Sequence, residues 1–184
     1  MGEIHSPLPV KLFVGMLSPD PALFADCADK LSRQYGPLEY QSQPMPWDKT
    51  DYYREEMGDG ILRKFLFFAG TIDPGKLPGI KHFTNSLEQA FAVPDRLARR
   101  RRINLDPGYL TEAKVVLATT KDYAHRLYIG ENMYAEVTLR YDGKERSFTP
   151  HEFTYPDFRS REYLTLFNRV RQKLREELHG KSGG

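Results

Sequence analysis

The sequence predicts an α+β fold: a single domain with a mostly antiparallel or mixed sheet and about three helices packed on it. Short apolar segments outnumber helical stripes, and short glycine-containing turns separate several of these segments. Strands joined by such turns run antiparallel, whereas a parallel sheet needs a long crossover between successive strands. Two related segments, residues 50–52 and 120–123, add the expectation of two similar halves.

The first half is predicted to open with a strand and a helix. Residues 11–17 form a short apolar run, which indicates a buried strand, and Ser18 or Asp20 is suited to begin the following helix as its N-cap. Apolar residues then recur at helical spacing until Gly36 and Pro37, which end the helix. A second strand is expected at residues 38–42.

A hairpin and a second helix are predicted next. Residues 52–57 would pair with residues 61–68 across the turn at 58–60, where two glycines tolerate positive φ. The second helix follows Pro78 and carries an apolar stripe. A different face of this helix holds three polar side chains, Lys81, Asn85 and Glu88.

The second half is predicted to begin with a tight turn at residues 106–108, where glycine supplies a conformation that other residues resist. Residues 112–119 fit a helix or a strand, and Thr111 as a capping residue favours the helix. Strands are expected at residues 125–129, 133–141 and 145–148. A last helix is expected at residues 160–178, within an ordered core at 9–178 of one domain spanning 1–184, followed by a loose tail at 179–184.

Composition argues against several classes of function. The 184 residues include 27 basic and 25 acidic side chains, and a net charge of +2 gives no general electrostatic reason to bind nucleic acid or an acidic membrane. Cys27 is the single cysteine, so an internal disulfide and cysteine-based zinc sites are excluded. With no apolar run near the ~20 residues that span a bilayer and no signal peptide, a cytoplasmic location without membrane contact is expected.

Two polar segments, residues 104–109 and 119–126, are the candidate functional site. His125 is the predicted catalytic acid or base, because its ordinary pKa lies near neutrality, and Asp122 would orient it. The side chains predicted to bind a ligand are Asp51, Tyr52, Lys64, Lys81, Asn85, Asn104, Asp106, Tyr109, Lys121, Tyr123 and Arg126. The alternative is that these polar groups satisfy one another at a sheet edge.

Cofactor binding is less well defined by the sequence. Carboxylates suit magnesium held together with a phosphate, provided that they converge. The candidates are Asp106, Asp122 and Glu136, with Asp51 and Asp157 as further candidates. Residues 70–76 have the G-x-x-x-x-G-K spacing of a phosphate-binding loop, but Leu77 stands where such a loop needs serine or threonine. The pattern is therefore more typical of an ordinary strand-to-helix turn.

The chain resembles the Domain of Unknown Function 4416 family of prokaryotic proteins, whose signature NLDPGYL stands at residues 104–110. The similarity covers nearly the whole chain and includes residues 10–17, 50–53, 120–126, 134–139 and 154–157. It implies that the polar Asp, Tyr, Lys and His positions form a site shared by the family. The arginine run from Arg96 to Arg102 is not part of the family pattern.

Three functional hypotheses follow. The first is an enzyme or sensor with a pocket for a small anionic, phosphorylated ligand, nucleotides included; whether the ligand is turned over stays open, as does the oligomeric state. The second is a nucleic-acid-binding module that uses Arg96 and Arg99 to Arg102. The third is a structural or interaction protein that binds no ligand.

Overall fold

The computed structural model describes residues 2–48, 53–94 and 99–180. Its strands are β1 (Lys11–Ser18), β2 (Leu38–Gln41), β3 (Met45–Pro46), β4 (Leu62–Phe68), β5 (Val93–Pro94), β6 (Arg99–Arg100), β7 (Asn104–Leu110), β8 (Lys114–Thr119), β9 (Leu127–Gly130), β10 (Met133–Asp142) and β11 (Ser147–Thr149). Its α-helices are α1 (Ala22–Tyr35), α2 (Arg54–Met57), α3 (Leu77–Phe91) and α4 (Arg161–His179).

One antiparallel sheet of nine strands organises the fold. Its strands follow the order β11-β10-β8-β7-β1-β4-β2, while β3 pairs with β4 and β9 pairs with β10. The apolar run at the start of the chain forms β1, which lies between β4 and β7. Strands β5 and β6 form a separate two-stranded ribbon.

Alternation along β1 assigns the three long helices to two faces of the sheet. Leu12, Val14 and Met16 belong to the core that α1 and α3 cover. Phe13 points to the opposite face and contacts Phe167 of α4 edge to face, with ring centroids 5.0 Å apart. Helices therefore cover both sides of the sheet, and the predicted α+β class with a mostly antiparallel sheet is confirmed.

Local sequence signals explain where two of these helices begin. Asp20 Oδ1 accepts a hydrogen bond from the backbone N–H of Ala22 at the start of α1. Ser160 caps α4, because its hydroxyl oxygen accepts a hydrogen bond from the N–H of Tyr163. Helices α1 and α4 both lie where apolar periodicity predicts them. The halves differ in connection, since β1 leads into α1 whereas β7 leads directly into β8.

The predicted hairpin of residues 52–57 with 61–68 is wrong. Residues 54–57 form the short helix α2, and residue 52 lies outside the described part of the chain. Strand β4 instead pairs with β1 on one side and with β2 and β3 on the other. The two glycines do have positive φ, 90° at Gly58 and 74° at Gly60, but they join a helix to a strand.

Two predictions for residues 104–119 are also wrong. Residues 114–119 form strand β8 and not a helix, and their side chains alternate between the two cores of the sheet. Asp106, Pro107 and Gly108 lie inside β7 and not in a turn. Pairing with β1 along the whole segment, joined by β8 at Gly108, overrides the local turn preference of Asp, Pro and Gly.

Candidate ligand-binding cavity

A cavity opens where β7 and β8 separate. The two strands pair from Leu110 only as far as Gly108, which lies opposite Leu117. Beyond that point β7 continues beside β1 to Asn104, while β8 continues beside β10 to Thr119. The sheet thus remains continuous at one end of this strand pair and divides at the other.

Pro107 explains why the pairing stops there. Backbone groups alternate in direction along a strand, so Pro107 has the same orientation as Leu105, whose N–H and C=O face away from β1. Proline has no N–H, and the missing donor is on the side where β8 would otherwise pair. The signature at residues 104–110 therefore shapes the edge of the cavity.

Two side chains of α3 take the place of the missing strand at Leu105. Glu88 Oε1 accepts a hydrogen bond from the Leu105 N–H at 2.7 Å, and Lys81 Nζ donates one to the Leu105 carbonyl at 2.8 Å. Burial raises the pKa of Glu88, and Lys81 opposes that rise. The polar face predicted for α3 is thus directed toward β7.

The cavity between the separated strands has a volume of about 510 Å³. Five basic and four acidic side chains line it, together with aromatic residues on several sides. The charged lining residues are Arg63, Lys81, Arg101, Lys121, Arg126, Glu88, Asp106, Glu136 and Asp157. The aromatic lining residues are Trp47, Tyr53, Tyr123, Tyr155 and Phe158.

A buried ion network centred on Arg63 forms one wall. Arg63 Nη1 donates to Asp106 Oδ2 at 2.9 Å, and Nη2 donates to Asp157 Oδ2 at 3.0 Å. Trp47 Nε1 also donates to Asp157 Oδ2, at 3.1 Å. Gly15 leaves room for the guanidinium, since a Cβ at that position would lie 2.9 Å from Arg63 Nη1.

Electrostatic attraction within this network keeps Arg63 and Asp106 ionised. Burial alone would lower the pKa of Arg63, but the carboxylates of Asp157 and Asp106 outweigh burial and raise it. Burial likewise acts to raise the pKa of Asp106, and Arg63 and Lys81 outweigh it, so this pKa lies below its ordinary value. Asp106 is therefore a carboxylate at neutral pH, with 24% of its side chain exposed.

A second network, around Glu136 of β10, forms another wall. Arg126 Nε donates to Glu136 Oε2 at 2.7 Å, and His125 Nε2 lies 3.2 Å from the same oxygen. Arg126 Nη2 also donates to the hydroxyl of Tyr155 at 2.6 Å, and its guanidinium lies 4.5 Å from the ring centroid of Tyr123. Glu136 Oε1 is buried and has no hydrogen-bond partner in the described part of the chain.

The predicted site residues fall into three groups. The ones that line the cavity are Lys81, Asn85, Asn104, Asp106, Lys121, Tyr123, Arg126 and Glu136. Four others, Lys64, Tyr109, Asp122 and His125, are not in its lining. Asp51 and Tyr52 lie outside the described residues.

Physical reasons explain the second group. Lys64 lies between Arg63 and Phe65 on β4, so its side chain points to the other face of the sheet. Tyr109 lines a separate hollow of about 390 Å³. His125 stacks on Phe153 with ring centroids 4.5 Å apart, and this contact engages its ring away from the lining residues. Asp122 is exposed in the loop that precedes His125.

Several lining residues were not predicted, chiefly Trp47, Arg63 and Tyr155, and the sequence suggests Asp157 only as a magnesium ligand. For Arg63 a signal existed, because alternation along the apolar strand places it on the same side as Phe65 and opposite to Lys64. Asp157 joins Arg63 across 94 positions of sequence, and no local pattern connects the two.

The structure differs from the sequence hypotheses of a magnesium site and of a nucleic-acid-binding arginine segment. Among the described residues, no group of three or more His, Cys, Asp or Glu side chains is arranged to hold a metal ion, so Asp106, Asp122 and Glu136 do not converge. Arg101 pairs with Glu56 and Glu88, and Arg102 pairs with Asp20. Arg100 donates to the carbonyl of Glu56; Arg96 and the side chain of Arg99 lie outside the description.

The fold and the cavity define an α+β protein with a ligand-sized opening between separated strands of an antiparallel sheet. The chain belongs to the family described as Domain of unknown function (DUF4416), which it matches over residues 8–174. No curated protein and no solved structure is significantly similar to it. In the described part of the chain, no helix combines the length and apolar character needed to cross a membrane.

Proposed function

We propose that the protein binds a small anionic ligand, such as a phosphorylated metabolite, in the cavity between β7 and β8. The volume of about 510 Å³ supports this proposal, because small-molecule sites in proteins commonly measure roughly 300–1,000 Å³. The lining combines apolar residues, such as Leu117 and Ala118, with several polar groups, and this combination is also typical of such sites.

The buried position of Lys81 in the cavity wall is the observation that carries the proposal. Its side chain lies in the cavity wall and the residue is only 7% exposed. An ammonium group has three N–H donors, and the one described hydrogen bond of Lys81 goes to the Leu105 carbonyl. Within the described ranges no carboxylate lies at ion-pair distance from Nζ, so the group can donate two further hydrogen bonds to an anion. Lys121 adds positive charge at the exposed rim.

The arginine contacts favour a small ligand over nucleic acid. Arg101 and Arg102 already pair with carboxylates, and Arg100 donates to a backbone carbonyl. Binding to phosphates of RNA or DNA would require these side chains to exchange their present partners. The net charge of +2 adds little long-range attraction.

Thermal unfolding with inorganic phosphate, ribose 5-phosphate and AMP, each with and without magnesium, tests the proposal. At 100 times its Kd, a bound ligand stabilises the native state by about 2.7 kcal/mol, which corresponds to a rise in Tm of roughly 5–10 °C for a chain of this size. Lys81→Gln is expected to weaken binding about tenfold or more, measured by calorimetry, because a charged hydrogen bond is lost.

Lys64→Gln is the matched control, since Lys64 is not in the lining of the cavity, and its variant is expected to bind like the wild type. The proposal fails if no phosphate compound raises the Tm of the wild type. It fails equally if Lys81→Gln, folded by circular dichroism, binds these compounds with unchanged affinity.

A further inference from the structure

We infer that the ligand is a hydroxylated anion, of the class of sugar phosphates, whose hydroxyl groups bind Asp106, Asn104 and Glu136. This inference rests on the proposed function and specifies the part of the ligand that is not the anionic group. It follows from two buried polar atoms of the cavity lining, Glu136 Oε1 and Asn104 Nδ2, that have no hydrogen-bond partner among the described residues.

One carboxylate oxygen of Glu136, Oε1, lacks a hydrogen-bond donor, although Arg126 already supplies the carboxylate with a positive charge. Its side chain is 2% exposed, and Arg126 already compensates the carboxylate through Oε2. Oε1 has no hydrogen-bond partner among the described residues, although a buried carboxylate oxygen without one is energetically costly. A neutral hydroxyl supplies the missing donor, whereas an ammonium group would bring a second cation beside Arg126.

Asp106 and Asn104 on β7 likewise combine a carboxylate that is paired with an arginine and a buried polar atom without a hydrogen-bond partner among the described residues. They are two residues apart in the strand and therefore share one face of the sheet. Asp106 is already paired with Arg63. Asn104 Oδ1 accepts a hydrogen bond from Arg101. Its Nδ2 is buried and makes no hydrogen bond of regular geometry to any residue that the structure describes, although the amide is near enough to help lower the pKa of Asp106.

A hydroxyl group matches this pair, because it donates one hydrogen bond and accepts others. It can donate to the Asp106 carboxylate while it accepts from Asn104 Nδ2. An alkyl chain at the same place would give Asn104 Nδ2 no acceptor and Asp106 no further donor, and an ammonium could not accept from the amide.

The sheet places these groups on two sides of an apolar floor. Leu117 of β8 lies opposite Glu136 of β10 on one side and opposite Gly108 of β7 on the other. Strand spacing therefore places β7 and β10 about 10 Å apart at Gly108 and Glu136. Beyond Gly108, toward Asp106, β7 is no longer paired with β8. A compact ring or chain with hydroxyls at its edges fits between two polar walls above an apolar residue.

Calorimetric titration with two phosphate esters of matched length, ribose 5-phosphate and n-pentyl phosphate, tests the inference. Both carry the phosphate that Lys81 is proposed to bind, and only the first carries hydroxyls. On the wild-type protein we expect ribose 5-phosphate to bind about tenfold or more tightly than the alkyl ester. This comparison needs no substitution, so it is decisive even if a variant does not fold.

Two conservative variants then locate the effect. Asn104→Asp keeps an oxygen for Arg101 and removes the Nδ2 donor, and Glu136→Gln keeps the size of the side chain. The added or removed charge changes the affinity of both esters alike, so the ratio between them reports hydroxyl recognition. We expect this ratio to fall several-fold in each variant, with folding verified by circular dichroism.

The outcomes separate this inference from the proposed function. If the alkyl ester binds as tightly as ribose 5-phosphate, and both lose affinity in Lys81→Gln, the hydroxyl inference is overturned while anion binding stands. If neither ester binds, both the inference and the proposed function are overturned. If the ratio persists unchanged in both folded variants, Asn104 and Glu136 do not recognise the hydroxyls and the inference is overturned.

Discussion

Replacing Gly108 by alanine is expected to lower the free energy of unfolding by about 3 kcal/mol. A Cβ at this position would lie 2.3 Å from the carbonyl oxygen of Val116 and 2.6 Å from Cζ of Phe13. The first atom belongs to the backbone of β8, and the second belongs to a ring in the buried core under α4. Neither can move away without loss of packing or strand pairing, so the cost is large for a single methyl group.

Urea denaturation followed by circular dichroism measures this effect. Gly143→Ala is the matched control, because a Cβ there has no atom within 4 Å and the residue lies in an exposed hairpin turn. Its free energy of unfolding is expected to stay within about 0.5 kcal/mol of the wild type. Equal stability of the two variants would contradict the close approach of β7, β8 and Phe13.

Replacing Arg63 by methionine is expected to destabilise the protein by about 3–5 kcal/mol at neutral pH. Arg63 pairs with both Asp106 and Asp157, and its side chain is buried beside Gly15. Methionine fills part of the space but leaves two carboxylates without their cation. An uncompensated buried charge costs more than the native pair contributes, which makes this the most damaging change in the cavity wall.

The loss of stability in the methionine variant is expected to depend on pH. In the wild type the pKa of Asp106 is lowered, so its stabilising contribution is complete above the ordinary value of 3.8 and is lost as pH falls through the lower folded value. Without Arg63, burial disfavours the carboxylate form of Asp106, so protonation of Asp106 at lower pH reduces the destabilisation of the variant. The stability difference between wild type and variant should therefore narrow between pH 7 and about pH 4.

Urea denaturation at pH 7 and pH 4 measures this difference, with Lys64→Met as the control. Lys64 is the neighbouring cation on β4 and points away from the network, so its replacement should cost about 1 kcal/mol or less at either pH. A stability difference for Arg63→Met that stays constant with pH would show that the two carboxylates do not depend on Arg63.

Periodicity in the sequence was sufficient to predict most regular elements. The strand at the centre of the sheet and the helices at both ends of the chain have apolar residues at the spacing that their burial requires, and Asp20 and Ser160 mark helix starts. These features depend on neighbours in sequence, which is why sequence alone reveals them.

Elements whose conformation depends on distant partners were predicted less well. Asp106, Pro107 and Gly108 have turn preferences, yet β1 pairs along the whole segment and makes it a strand. Lys64 was expected in the site, whereas Arg63, one position earlier, lies in it, because only the sheet determines which side of β4 faces α4. Asp157 reaches the cavity from the turn before α4, and this contact depends on the full tertiary fold.

The bonding of Leu105 has a consequence for any ligand that the cavity would bind. The N–H of Leu105 donates to Glu88, and its C=O accepts from Lys81. Strands β7 and β8 therefore cannot extend their pairing to Leu105 and close the cavity. The cavity is thus preorganised, and association with a ligand should require little ordering of the chain. Affinity would then reflect the contacts themselves, with little spent on rearrangement of the sheet.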